Sequence, residues 1–120
     1  MSLTLTYSAK LKDPRWQKKR LQVLEIAQWR CEDCGERSKP LEVHHCAYVR
    51  GHEPWQYDFN LLMALCGECH EFRQRREDAL RVHLGIILRL LPAAQVEEEG
   101  WRLLKQISDR ETERLAGAFQ

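Results

Sequence analysis

The sequence predicts a small α+β fold built around a metal-binding segment and flanked by helices. Three observations predict it. Residues 31–70 read CEDCGERSKPLEVHHCAYVRGHEPWQYDFNLLMALCGECH and hold two Cys-x2-Cys pairs, Cys31/Cys34 and Cys66/Cys69. Between them, Leu-Glu-Val-His-His over 41–45 alternates apolar and polar residues with the period of a strand. On either side of the segment, apolar residues recur at helical spacing.

In chain order, residues 1–12 read as a loosely ordered arm with short β potential in LTLTY. Asp13-Pro14 starts a helix: a capping carboxylate, then a proline where its missing N–H costs nothing. Trp16, Val23, Leu24 and Ala27, with Leu21 alongside, make its apolar stripe to about Trp29, and both tryptophans are expected in the core. Residues 31–35 form a knuckle in which Gly35 permits the tight turn. Leu41 and Val43 point inward from the strand, residues 47–50 are its expected returning partner, and residues 51–54 are a turn. Trp55, Tyr57 and Phe59 are an aromatic cluster that suits packing better than base stacking. Residues 60–65 lead into the second knuckle. A helix is expected from Glu68 or Cys69 to Pro92, with Phe72, Ala79, Val82, Ile86 and Leu90 as its stripe. A last helix is expected over 95–116 with Trp101, Leu104, Ile107 and Leu115. Residues 84–91 are apolar on more than one side, which suggests a hairpin with the last helix or packing against a second copy.

The bulk properties narrow the class. A chain of 120 residues is one compact domain with at most a small appendage. Hydrophobic content of 43% and charged content of 31% are those of a globular chain, not a disordered one. No apolar run approaches a membrane span and no leader pattern opens the sequence, so an intracellular protein is expected. Five cysteines in a reducing compartment argue for metal rather than disulfides. The four paired thiols suit a closed tetrahedral Zn²⁺ site, whereas Cys46 reads as a small buried residue. The histidines His44, His45 and His70 lie outside that set and could hold a second, open metal site. Net charge is only +1, but the cations are uneven. Residues 10–30 carry Lys10, Lys12, Arg15, Lys18, Lys19, Arg20 and Arg30 against Asp13 and Glu25, where they suit phosphate contacts or a solvated face alike, and residues 93–120 lean acidic.

The combination of paired CxxC motifs, the LEVHH strand, an asparagine before LC, and CxxCH resembles the zinc-containing HNH endonucleases of the ββα-metal (His-Me finger) type. HHCAYVRGHEPWQYDFNLLMALCGECH is similar in particular to a small bacterial and phage branch, and DPRWQKKRLQVLE resembles that branch's leader helix. The resemblance covers about residues 12–72. It implies a zinc-stabilised ββα-metal core at 31–75, preceded by an arm and basic helix (1–30) and followed by a C-terminal helical pair (76–120). By the same resemblance, His45 is the general base and Asn60 its clamp. His44 and His70 hold a catalytic Mg²⁺ or Mn²⁺, a site that Zn²⁺ or Ni²⁺ would also occupy, while Cys31, Cys34, Cys66 and Cys69 hold structural zinc. Lys18, Lys19, Arg20, Arg50, Arg73 and Arg76 are the expected contacts to DNA, double-stranded, in the cytoplasm of a bacterial or phage-infected cell.

Two positions depart from the family pattern. The asparagine usually stands where this chain has Leu61, one residue after Asn60. Related sequences often carry a histidine where this chain has Gln74. His52 and His83 match no motif and read as surface or packing residues. The alternative is a catalytically inactive zinc module that binds nucleic acid or a protein, and the C-terminal helices suit a homodimer or partner contact.

Overall fold

The computed structural model describes residues 6–118, and the side chains of residues 112 and 114–118 lie outside that description. Helix α1 (Tyr7–Leu11) is capped by Thr6, whose hydroxyl accepts from the Ala9 N–H. Tyr7 is thus helical where the arm was expected to be β-like, and Leu3, Thr4 and Leu5 fall outside the described residues. Helix α2 (Pro14–Ile26) starts as the sequence predicts. The Asp13 carboxylate accepts from the Arg15 N–H at 2.8 Å and from the Arg15 guanidinium, which holds it below the usual carboxylate range.

Helix α2 buries Trp16, Val23 and Leu24 but stops earlier than the apolar stripe suggests. The Gln28 N–H bonds the Glu25 carbonyl and the Trp29 N–H bonds the Leu24 carbonyl, the paired hydrogen bonds of a Schellman cap. Both residues sit at positive φ, +58° and +56°. This turn swings Trp29 outward to 52% exposure, so the expected core role for Trp29 is not met. A side chain at a left-handed position is disfavoured by Cβ crowding, which glycine avoids. Gln28→Gly should therefore raise stability by about 1 kcal/mol, read as a higher urea midpoint with an unchanged slope.

Strands β1 (Leu41–His45) and β2 (Leu62–Cys66) form a two-stranded antiparallel sheet, with Leu41 opposite Cys66 and His45 opposite Leu62. The partner of β1 is thus the apolar run before the second knuckle, not residues 47–50. Those residues belong to a long connection tied back to the sheet: the Cys46 N–H donates to the Leu61 carbonyl and the Val49 N–H to the Tyr57 hydroxyl, at 2.8 and 2.9 Å. Gly51, at φ +83°, makes the turn in it. Short helical turns at Pro54–Gln56 and Phe59–Leu61 then bring the chain to β2.

Two units make up the chain, Met1–Arg76 and Glu77–Gln120. In the first, one core cluster joins Val23 and Leu24 of α2 to Tyr57, Leu62 and Ala64, and a second joins Leu65 to Cys31 and Cys66. Fully burying a leucine is worth about 1.5–3 kcal/mol, so Leu24 and Leu65 anchor α2 and the knuckles to the sheet. Helix α3 (Gly67–Leu90) begins one residue before its expected start and ends short of Pro92. A turn at Ala93–Gln95 leads to α4 (Val96–Ala118). The expected core stripes of these helices are exposed at Phe72, Val82, Ile86, Leu90, Trp101, Leu104 and Ile107. The architecture is mixed helix and sheet, and no helix among the described residues is long and apolar enough to cross a membrane.

Candidate functional site

The thiols come together because β1 and β2 hold the two knuckles at one end of the sheet. Cys31 lies just before the loop into β1, Cys66 ends β2, and Cys69 is in the first turn of α3. The Glu32 N–H donates to the Ala64 carbonyl at 2.9 Å, tying the first knuckle to β2. All four sulfurs lie within 4.8 Å of one another, with Cys34 and Cys66 Sγ at 3.9 Å. Tetrahedral zinc with bonds of about 2.3 Å requires sulfurs about 3.8 Å apart, so this set is placed to hold a metal ion such as Zn²⁺.

Their acidities point the same way. Burial pushes the Cys31 thiol up, but N–H groups of Cys34, Cys66 and Asp33 outweigh it and bring it down to about 6. Cys69, hydrogen-bonded to Cys66 and partly desolvated, is pushed up to about 12. Four thiols this close cannot all ionise without a cation among them.

On β1, neighbouring side chains point to opposite faces, and both histidines are buried. The His44 ring meets the His70 ring of α3 edge to face, 5.0 Å between centroids. His45 is stacked between Trp16 at 5.2 Å and Tyr48 at 5.5 Å, with Tyr57 edge-on at 4.9 Å. The Pro54 backbone hydrogen-bonds the His45 ring. Proline has no N–H, so the partner is its carbonyl and the imidazole donates. Nε2 of His45 is buried and has no hydrogen-bond partner, so Nδ1 is the donor and Nε2 keeps its lone pair. Burial, reinforced by the nearby His44, holds the His45 pKa below its ordinary value against the opposing pull of the carbonyl.

A cleft of about 330 Å³ opens at His45 and His70, with Arg20, Tyr48, Glu42 and Gln74 in its walls. Glu42 and Pro54 were not anticipated. The Glu42 carboxylate meets Nδ1 of His70 at 2.5 Å, leaving Nε2 of that ring to face another group. The Leu-Glu-Val alternation placed Glu42 on a strand, but only the pairing of β1 with α3 reveals its partner. A main-chain carbonyl such as that of Pro54 has no sequence signal at all.

The other predicted residues are distributed as follows. Asn60 is exposed in the turn Phe59–Leu61, its N–H bonded to Asp58. Arg73 makes two hydrogen bonds to Asp33, at 2.8 and 2.7 Å, which hold that carboxylate below its usual range. Lys19 lies 3.8 Å over Phe59 and Arg76 lies 4.8 Å over Phe72, both cation–π contacts. Lys18 and Arg50 are exposed. In the aromatic cluster Tyr57 is buried, while Trp55 lies under the Arg15 guanidinium at 4.0 Å. His52 packs near Tyr57 and His83 is exposed on α3. Comparison with known proteins adds no relative: no protein-family model, no curated protein and no solved structure matches the chain.

Proposed function

We propose that this chain is a metal-dependent HNH-type endonuclease that hydrolyses phosphodiester bonds of DNA, with β1, β2 and α3 as its ββα-metal core. His45 carries the reading. It is a neutral imidazole, wedged between rings, with one nitrogen fixed by a main-chain carbonyl and a lone pair on the other, beside a cleft that also holds His70 and Arg20. A histidine buried merely for packing satisfies both nitrogens; this one keeps a basic atom unpaired.

The roles follow from those contacts. Nε2 of His45 takes a proton from water, and the imidazolium that results keeps its Nδ1–H on the Pro54 carbonyl. That carbonyl does the orienting that the family resemblance assigns to Asn60. The water oxygen bonds to phosphorus as the bond to the 3′ oxygen breaks and that oxygen takes a proton from solvent water, leaving 5′-phosphate and 3′-hydroxyl ends. His44 and His70 would hold the divalent ion. The donor chemistry fits, since imidazoles suit Zn²⁺ or Ni²⁺, whereas Mg²⁺ or Mn²⁺ would rely more on water and phosphate oxygens. Glu42 behind His70 is the carboxylate that such ligands require to fix their ring. When bound, the ion supplies charge stabilisation at the scissile phosphate. Arg20 and Lys18 supply phosphate contacts, which give affinity without sequence choice. Arg73, held by Asp33, acts instead as a brace between the first knuckle and α3.

The test is conversion of supercoiled plasmid to open-circle or linear DNA by wild type and His45→Ala, with Mg²⁺ or Mn²⁺ added or withheld. Cleavage that needs both the ion and His45 is the expected result. If neither protein cuts with any ion while both fold and retain zinc, the nuclease reading fails and a non-catalytic zinc module takes its place.

A further inference from the structure

The unit Glu77–Gln120 has no buried residue among those whose exposure is described, yet it is rich in aliphatic side chains. Their placement on α3 is two-sided. A helix advances about 100° per residue, so Leu84, Ile87, Leu88 and Leu91 share one face. This face lines an apolar cleft of about 360 Å³ with Val96 and Leu103 of α4. Ala79, Val82, Ile86 and Leu90 fall on the opposite face. One helix cannot cover both sides of another, and Val82, Ile86 and Leu90 stand 64%, 55% and 76% exposed. A seam of small and branched side chains repeating every three or four residues is what helix-on-helix packing uses.

Charges beside the seam select its occupant. Asp78 and Arg89 lie on the same flank of the stripe, one near each end. Arg89 makes no ion pair among the described residues, and Asp78 pairs only with Arg81 of its own helix at 2.7 Å. When two copies of α3 meet antiparallel about a two-fold axis, the same flank faces itself with its ends reversed. Asp78 of each copy then lies against Arg89 of the other, so one contact is made twice. A phosphate backbone would meet the Asp78 carboxylate on the flank that carries Arg89, and an unrelated helix would have no reason to reproduce the reversed charge order.

We propose that Ala79, Val82, Ile86 and Leu90 are the seam of a two-fold homodimer, locked by reciprocal Asp78–Arg89 ion pairs. Such a dimer holds two copies of the hydrolytic site, related by the same two-fold symmetry as the seam. That consequence rests on the nuclease reading; the dimer itself does not.

Sedimentation of the full zinc-loaded chain at micromolar concentration should give twice the chain mass. Ile86→Glu should weaken association at least a hundredfold and sediment as one copy, with helicity and zinc content retained. Asp78→Arg and Arg89→Asp should each weaken it about tenfold, and the double exchange should restore it, because the swapped charges again meet across the axis. A single-copy mass for wild type at high concentration overturns the proposal. So does a dimer indifferent to Ile86→Glu, or a double exchange no tighter than either single one. Mass does not depend on cleavage, so a failed dimer and a failed nuclease reading are told apart. A dimer that cuts nothing sinks only the second.

Discussion

His45→Gln should lower the rate of plasmid cleavage by about 10²–10⁴, the usual contribution of a positioned general base. It should leave DNA affinity and zinc content unchanged. Glutamine is chosen beside alanine because His45 packs among Trp16, Tyr48 and Tyr57. Alanine would open a cavity among three rings and lower stability as well as activity. A loss shared by both variants belongs to the proton-accepting nitrogen; a loss confined to alanine belongs to the packing. A glutamine variant that cuts within a few-fold of wild type removes His45 from the mechanism.

The pH profile gives the same prediction a second readout. The base works in its neutral form, so the rate should rise with pH through the His45 pKa and then level off. Burial and the neighbouring His44 hold that pKa below the ordinary 6.5. The plateau should therefore already be reached at neutral pH, with the fall confined to the acid side. Stability should follow the same sign. The unfolded chain binds the His45 proton more readily than the folded one, so this contribution is fully present above 6.5 and is lost as pH falls through the depressed folded value. A rate that keeps climbing well above pH 7 would mean that a different group loses the critical proton.

How far the sequence could be read depended on whether the controlling interaction was local. The Asp13 cap, Pro14 at the helix start and the spacing within each Cys-x2-Cys pair are set by neighbours a few residues apart, and each stands where it was expected. The sheet differs from its sequence pattern because strand pairing is not local. LMALC has no alternation, since β2 is covered on both faces at Ala64 and Leu65, and a fully buried strand cannot be told from a buried helix by periodicity. Residues 47–50 follow β1 closely, but the strand that pairs with it lies further along the chain. Trp29 was placed in the core by the helical period, which a left-handed turn at Gln28 and Trp29 cancels. At the site, the histidines were visible from their spacing, but the Pro54 carbonyl that holds His45 and the Glu42 that holds His70 depend on tertiary contacts alone.

Cys66→Ser should abolish stable zinc binding and with it the fold of the unit Met1–Arg76. Metal content should fall from one zinc per chain to near zero, and the near-ultraviolet signal of Trp16 and Tyr57 should collapse. Cys46→Ser, outside the four-thiol set, should keep its zinc. The expected size comes from comparing two energies. A structural zinc in a small domain contributes about 10–16 kcal/mol of apparent folding free energy, whereas the net stability of a whole domain is about 5–15 kcal/mol. The apolar core is too thin to make up the difference. In one of its two clusters the one aliphatic residue fully buried is Leu65, beside Cys31 and Cys66, with Leu41 and Met63 only partly buried against it. Those thiols belong to the core as well as to the four-sulfur set, and without an ion the sulfurs crowd one another within the packing. Because the same knuckles carry β1 at one end and α3 at the other, His44, His45 and His70 lose their common frame when the thiol site fails. Cleavage should therefore vanish together with zinc in Cys66→Ser, whereas in His45→Gln it falls with zinc still bound.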